Sequence, residues 1–286
     1  SHHEKSEWFY ATLGGIGLTG LILEAKLQLR SVNGPWIQSE TIPYYSLQEF
    51  FSLADSSEAD WEHTVSWIDC INSSSTKGLF IRGNLAQIQN QSAPKLKDKT
   101  FPFTPPISLI NKISLPIFNF AYFQKNALKK RNQLVHYEPF FYPLDSIQAW
   151  NKMYGPLGFY QYQSVVPREV GLEATQEMLK MIKKFGEGSF LAVLKTFGDR
   201  ESGGLLSFPR SGVTLALDFP NRGESTLNLF NELDHIVQEA RGRLYLAKDA
   251  RMPKTLFEAG YPRIQEFMKY RDPGISSNMS RRLLGV

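Results

Sequence analysis

The sequence predicts an α+β protein built on an antiparallel sheet, with a ferredoxin-like β-α-β-β-α-β unit in its second half. Three observations carry this expectation. Stretches of period two and period 3.6 follow one another in that order from residue 158 to residue 247. The two helical stretches of that unit stop on glycine, in "KKFG" and "EARG". The apolar share of 42%, with 13% aromatic residues, is enough to fill a sizeable core.

The opening stretch "FYATLGGIGLTGLILEAKLQLR" holds Gly15, Gly17 and Gly20 at the G-x-G-x-x-G spacing of a dinucleotide loop. Such a loop needs a helix after its glycines. Here Leu21, Leu23, Ala25, Leu27 and Leu29 alternate with Glu24, Lys26, Gln28 and Arg30. That alternation predicts a half-buried strand. The glycines then form a turn of bare backbone, either plain or closely approached by a ligand.

Residues 35–44 predict a strand. Ser46 opens a short helix with Glu49 as capping-box partner and Phe50, Phe51 and Ala54 as its apolar residues. Strands are expected at 62–68 and 78–82. Residues 101–123, "FPFTPPISLINKISLPIFNFAYF", carry Lys112 as their only charge. Lys95, Lys97 and Lys99 flank them on one side, and Lys125, Lys129, Lys130 and Arg131 on the other. The prolines argue against a long helix. Apolar, aromatic sequence between cationic flanks suits a membrane interface or a lipid-lined groove; the plainer reading is a loop packed over the core.

The second half is more regular. Strands are expected at 158–166, 189–197, 212–219 and 244–247. A helix over 169–185 is stopped by Gly186, and a helix from Ser225 as cap through 241 is ended by Gly242. Helices at 253–259 and 262–270 close the pattern. Residues 31–243 thus read as one α+β domain. The pieces 1–30 and 244–286 cannot bury their own apolar faces and read as edges of a second domain.

The residues narrow the chemistry. His63, His136 and His235 lack metal-ligand spacing, so no metal site is expected. Cys70, the only cysteine, has no neighbouring base and reads as a structural thiol. No nucleophile elbow or P-loop is present. A net charge of +4 is too modest to imply a nucleic-acid partner. Gln161 and Gln163, two apart on one strand, put both amides on one face, where they can read sugar hydroxyls or simply meet solvent. Lys195 shares a face with Leu191, Val193 and Phe197, and Lys248 stands at a strand end.

Taken together these stretches carry a resemblance. "FYATLGGIGLTGLILEAKLQL" resembles the last strand segment of the FAD domain in the vanillyl-alcohol-oxidase-type FAD-linked oxidases. "YGPLGFYQYQSVVP", "SFLAVLKTFGD", "LSFP", "LALDFP", "GRLYLAKDAR", "YPRIQEFMKYRDP" and "MSRRL" are similar, in order and spacing, to the decaprenylphosphoryl-β-D-ribose oxidase branch of that family. The resemblance runs from about Trp8 to the C-terminus and is weakest through the proline-rich segment.

The resemblance implies FAD as cofactor, with the body of the FAD domain preceding Ser1. Residues 1–30 would be the last segment of that domain, 31–243 the substrate domain and 244–286 the return to the FAD domain. The fragment alone would then be inactive and hold no stable FAD. Ile22, Tyr245 and Lys248, with the turn at Gly17 and Gly20, would lie beside the flavin, and Lys248 would be catalytic. Gln161, Gln163, Lys195, Phe197 and Trp67 would line the substrate pocket. Thr214 and Phe141 would line it too, and with Ala216 they depart from the Asn, Tyr and Cys of the family pattern.

The implied reaction is oxidation of the 2′-hydroxyl of a polyprenylphosphoryl ribose. A short-chain reductase partner would complete the epimerisation to arabinose. The implied location is cytoplasmic, peripheral at the inner membrane through residues 101–123. The alternatives are an aldonolactone-type oxidase acting on a soluble sugar and a non-catalytic binding fragment.

Overall fold

The computed structural model describes residues 1–71, 76–88, 99–129 and 131–286. Lys95, Lys97 and Lys130 of the basic flanks lie outside the described residues. The first half contains α1 (Ser6–Thr12), β1 (Trp36–Tyr44), α2 (Leu47–Ser57), β2 (His63–Ile68), β3 (Gly78–Leu85) and β4 (Lys99–Thr100). It continues with α3 (Ser114–Ala127), β5 (Asn132–His136), α4 (Tyr137–Phe141) and β6 (Ile147–Gln148). The second half contains β7 (Phe159–Val166), α5 (Gly171–Phe185), β8 (Val193–Phe197), β9 (Gly212–Pro220), α6 (Glu224–Glu239) and β10 (Arg243–Leu244). The chain closes with α7 (Lys254–Gly260), α8 (Ile264–Phe267) and α9 (Asn278–Leu284).

The main sheet has the order β10-β7-β9-β8-β2-β3-β1-β5, and its neighbours pair antiparallel. β4 and β6 form a small parallel pair. Numbered within their own unit, the strands β7, β8, β9 and β10 stand in the order 4-1-3-2. The two intervening helices lie on one face. Met178 and Ile182 of α5, with Phe230, Leu233 and Val237 of α6, share a buried core with Val166, Leu194, Leu215, Leu217 and Phe219. Period-two alternation sends the intervening strand residues to the other face.

Local capping is as the sequence indicates at two places. Ser46 Oγ accepts the Glu49 amide at 3.1 Å, while Glu49 reaches back to the Tyr45 amide at 2.7 Å, one residue beyond the usual capping box. Gly186 ends α5 at φ +64°, a left-handed conformation suited to glycine.

The terminal pieces pack together. The Asp272 amide donates to Leu18 O at 2.7 Å, and the Trp8 ring meets Tyr270 edge-on at 5.4 Å. Ala11, Leu18, Tyr261, Ile264 and Phe267 join the same buried cluster as the sheet residues.

Several expectations are corrected. Residues 21–33 form no strand, and Leu21, Leu23, Leu27 and Leu29 are 78–89% exposed. Alternation specifies a face, but a strand also needs a neighbour for its backbone groups, and the described residues provide none there. Residues 101–123 do contain most of a helix, because α3 runs from Ser114 to Ala127. Pro116 is its third residue, where a missing N–H breaks no intrahelical bond. Ser225 is not the cap of α6; Gly223 is, and Ser225 lies in the first turn. β8 begins at Val193 rather than 189, since 189–192 belong to the preceding loop. The last strand is only Arg243–Leu244, followed by a 3-10 turn over Leu246–Lys248. The closing helix α9 has no counterpart among the expected elements; Ser277 and Ser280 form its capping box where Glu or Gln is the usual signal.

Candidate active site

The face turned away from α5 and α6 gathers the polar residues that the sequence singles out. The register places Gln163, Ala216, Val193 and Trp67 in one row across β7, β9, β8 and β2. The next row holds Val165, Thr214 and Lys195, and Gln161 stands opposite Asp218. Paired residues of an antiparallel sheet share a face, so amides, carboxylate, hydroxyl and ammonium converge.

The hydrogen bonds orient the amides. Gln161 Nε2 donates to Asp218 Oδ1 at 3.0 Å, and Gln163 Nε2 donates to Thr214 Oγ1 at 3.1 Å. A carboxylate only accepts, so the Gln161 nitrogen must point at Asp218. This leaves the amide oxygen as the group a ligand hydroxyl can meet. Asp218 is buried, its own amide donates to Ser189 Oγ at 3.0 Å, and its Oδ2 has no hydrogen-bond partner. Burial pushes its carboxyl above the usual range; the Gln161 hydrogen bond and the positive Lys248 pull partly back.

Two lysines share the site. Lys195 keeps an exposed side chain, yet its pKa falls below the ordinary lysine value, first through partial desolvation and then through the positive charge of Lys248. Lys248 ends the 3-10 turn, and its amide donates to Tyr245 O at 3.0 Å. The Tyr245 amide in turn donates to Gln163 O at 2.9 Å, which ties the turn to β7. Two ion pairs clamp the segment just beyond Lys248. Arg251 binds both oxygens of Asp234 on α6 at 2.6 Å, and Arg282 on α9 meets Asp249 at 2.7 Å. These bidentate and charge-assisted contacts hold the turn in place.

Gln161, Gln163, Tyr245 and Lys248 line one small concavity of about 10 Å³. Phe197 reaches this end through Phe208, whose ring lies 6.1 Å from Phe197 and 4.7 Å from Tyr245. Trp67 belongs instead to an adjoining cavity of about 700 Å³, between the far half of the sheet face and α3. Val65, Ile81, Val193, Phe118 and Tyr122 are among its walls. Trp67 Nε1 donates to Phe190 O at 3.0 Å. Asn119, buried on α3, donates to Asp69 at 2.7 Å and pins the helix to the sheet.

Other expected residues lie elsewhere. Phe141 is not among the cavity walls; its ring packs edge-on against His63 at 4.9 Å, and its neighbour Phe140 lines the cavity. Ile22 is 63% exposed in the irregular stretch 21–33. Gly17 and Gly20 have φ of +76° and +136°, and a Cβ built on either meets nothing within 4 Å. Neither they nor Ile22 line the concavity of Lys248. Cys70 is buried between the amide and carbonyl of Ser189, and burial pushes its thiol up to about 12, as befits a structural residue. No metal-holding group of side chains occurs among the described residues.

Sequence reasoning missed Asp218, although "LALDFP" contains it. It also missed the Arg251–Asp234 and Arg282–Asp249 clamps, whose partners are distant in sequence. The 700 Å³ cavity left no local signal beyond the apolar character of residues 101–123.

Fold and face together define an α+β protein with a mostly antiparallel sheet, whose open face joins a cationic, amide-bearing cluster to an apolar cavity. The chain is 35% identical over 97% of its length to decaprenylphosphoryl-β-D-ribose oxidase of Mycolicibacterium smegmatis. It is 27% identical over 96% of its length to an uncharacterized protein in the mprA 5′ region of Streptomyces coelicolor, of which it covers 80%. No protein-family model matches it. The chain is thus similar to a decaprenylphosphoryl-β-D-ribose oxidase, and it spans 63% of the length of that M. smegmatis relative.

Proposed function

We propose that this chain is the substrate-side part of a FAD-linked oxidoreductase that oxidises the 2′-hydroxyl of a polyprenylphosphoryl ribose. The observation that carries the reading is that Gln161, Gln163 and Lys195 share one sheet face and that Lys248 lines the same concavity as the two amides. Likeness to a named oxidase supports it.

In this reading the amide oxygens of Gln161 and Gln163 accept hydrogen bonds from the ribose hydroxyls and fix which carbon faces the cofactor. Asp218 holds the Gln161 amide in its accepting orientation. Lys195 meets the phosphate. Lys248 brings a positive charge that suits one edge of a flavin, while Gly17 and Gly20 stand outside its concavity. FAD, when bound, supplies the two-electron acceptor for the alcohol carbon. The positive Lys248 would stabilise negative charge developing beside it.

The 4-1-3-2 order of β10, β7, β9 and β8 supports a ferredoxin-like substrate domain within residues 31–243. The exposed leucines of 21–29 favour residues 1–30, with 244–286, as parts of a FAD-binding domain. The product would be a 2′-keto sugar, for a short-chain reductase to reduce to the arabinose epimer.

No helix among the described residues is long and apolar enough to cross a membrane. α3 and its approach nevertheless expose Ile107, Ile113, Ile117 and Phe120 at 58–76%, near Lys112 and Lys125. Exposed apolar area with cations beside it supports peripheral contact with a lipid surface from the cytoplasmic side. The test is a spectrum of the natural polypeptide that contains this chain. It should show a flavin band that bleaches with polyprenylphosphoryl ribose; a colourless protein would defeat the reading.

A further inference from the structure

We propose that the cavity beside α3 takes the isoprenoid chain of the substrate, so that one ligand lies across the sheet with its sugar at β7, its phosphate at β8 and its hydrocarbon from β2 onward. This rests on the substrate reading above and adds a site to it.

The order of the strands carries the inference. Neighbouring strands lie about 4.8 Å apart. From Gln163 through Ala216 to Val193 is therefore roughly 10 Å, and to Trp67 roughly 14 Å, along one row. Lys195 stands two residues from Val193 on the same face, at the border between the amides and the cavity. Amide, cation and apolar wall thus follow one another as ribose, phosphate and hydrocarbon do in a polyprenylphosphoryl sugar.

The cavity suits a hydrocarbon. Its volume of about 700 Å³ is far beyond the water-sized voids of ordinary packing and lies in the range of ligand pockets. Trp67, Ile81, Phe118, Leu144, Phe190 and Val193 are among its walls, and Lys129 is the one charged residue lining it among the described residues. Lys129 is itself exposed. Ser39, Thr41, Ser66, Ser114, Asn126 and Gln133 also line it, but most of the exposed wall is apolar, and an apolar chain displaces water from that surface.

The test measures binding of isopentenyl phosphate and farnesyl phosphate to this chain by equilibrium dialysis, with no flavin or turnover required. Farnesyl phosphate is expected to bind at least tenfold more tightly than isopentenyl phosphate. Ile81→Trp and Val65→Phe, which narrow the cavity, should each shrink that preference by weakening farnesyl phosphate more than isopentenyl phosphate. An equal affinity for the two ligands in the unmodified chain would overturn the proposal, whether or not the variants fold. A preference that survives in both folded variants would place the hydrocarbon elsewhere and overturn it too. Failure of sugar oxidation with the chain-length preference intact would strike only the substrate reading.

Discussion

Gln161 and Asp218 face one another across β7 and β9, and the amide nitrogen of the first donates to the buried carboxyl of the second at 3.0 Å. The pair links strand register to chemistry. Antiparallel pairing puts the two side chains on one face, and the acceptor-only carboxylate decides which end of the amide a ligand meets.

Asp218 gives the first prediction. Its folded pKa lies above the ordinary carboxylate value of about 3.9, so folding favours the protonated form. The stability associated with that proton is fully present below the unfolded pKa and is lost as pH rises through the folded pKa. Asp218→Asn removes the titration. Relative to the unmodified chain, the variant should gain stability across that window and hold a constant difference above it. Urea midpoints at a series of pH values read this directly; a difference that moves in the opposite sense refutes it.

Gln161→Ala and Gln163→Ala should weaken sugar recognition without unfolding the chain, because both side chains are only partly buried. Loss of one hydrogen bond of this kind costs about 1 kcal/mol, roughly fivefold in binding. Titration with a ribose phosphate measures the loss, and a simple phosphate such as isopentenyl phosphate should be unaffected.

Lys195 and Lys248 should be coupled. The pKa of Lys195 is lowered, so its affinity for a phosphate should fall as pH rises through that lowered value, before an ordinary lysine would lose its charge. Lys195→Met should flatten the profile at weak binding. Lys248→Met removes a repelling charge and should move the fall to higher pH. An unchanged profile in the Lys248 variant would show that the two ammonium groups do not sense each other.

Phe230 tests the scaffold. It is buried in α6 against Tyr162 and Phe219, with the Arg251 guanidinium 5.1 Å from its ring. Phe230→Ala should cost about 3–5 kcal/mol. Because Arg251 also pairs with Asp234 near the Lys248 turn, ligand affinity should fall along with stability. An unfolding free energy within a few tenths of a kcal/mol of the parent would contradict the packing described.

What the sequence made legible was local. Ser46, Gly186 and the alternation of β7 and β9 act within a few residues, and each appears where their chemistry requires. The facing of Gln161 and Gln163 was readable for the same reason. What escaped depended on distant partners. The Arg282–Asp249 clamp joins residues 33 apart, and the partner of Gln161 lies 57 residues away. Pro116 misled because its effect depends on its place in the helix, and the leucines of 21–29 misled because alternation cannot name a neighbouring strand. The cavity is a product of tertiary packing, since α3, the 139–147 segment and five strands meet to enclose it.

The central claim is that this face presents the 2′-hydroxyl of a ribose for oxidation. The most direct measurement is anaerobic flavin absorbance in the natural polypeptide containing this chain, with polyprenylphosphoryl ribose and its 2′-deoxy analogue as alternative reductants. The account predicts bleaching by the ribose and none by the 2′-deoxy analogue. Equal bleaching by both, or none by either, would contradict it.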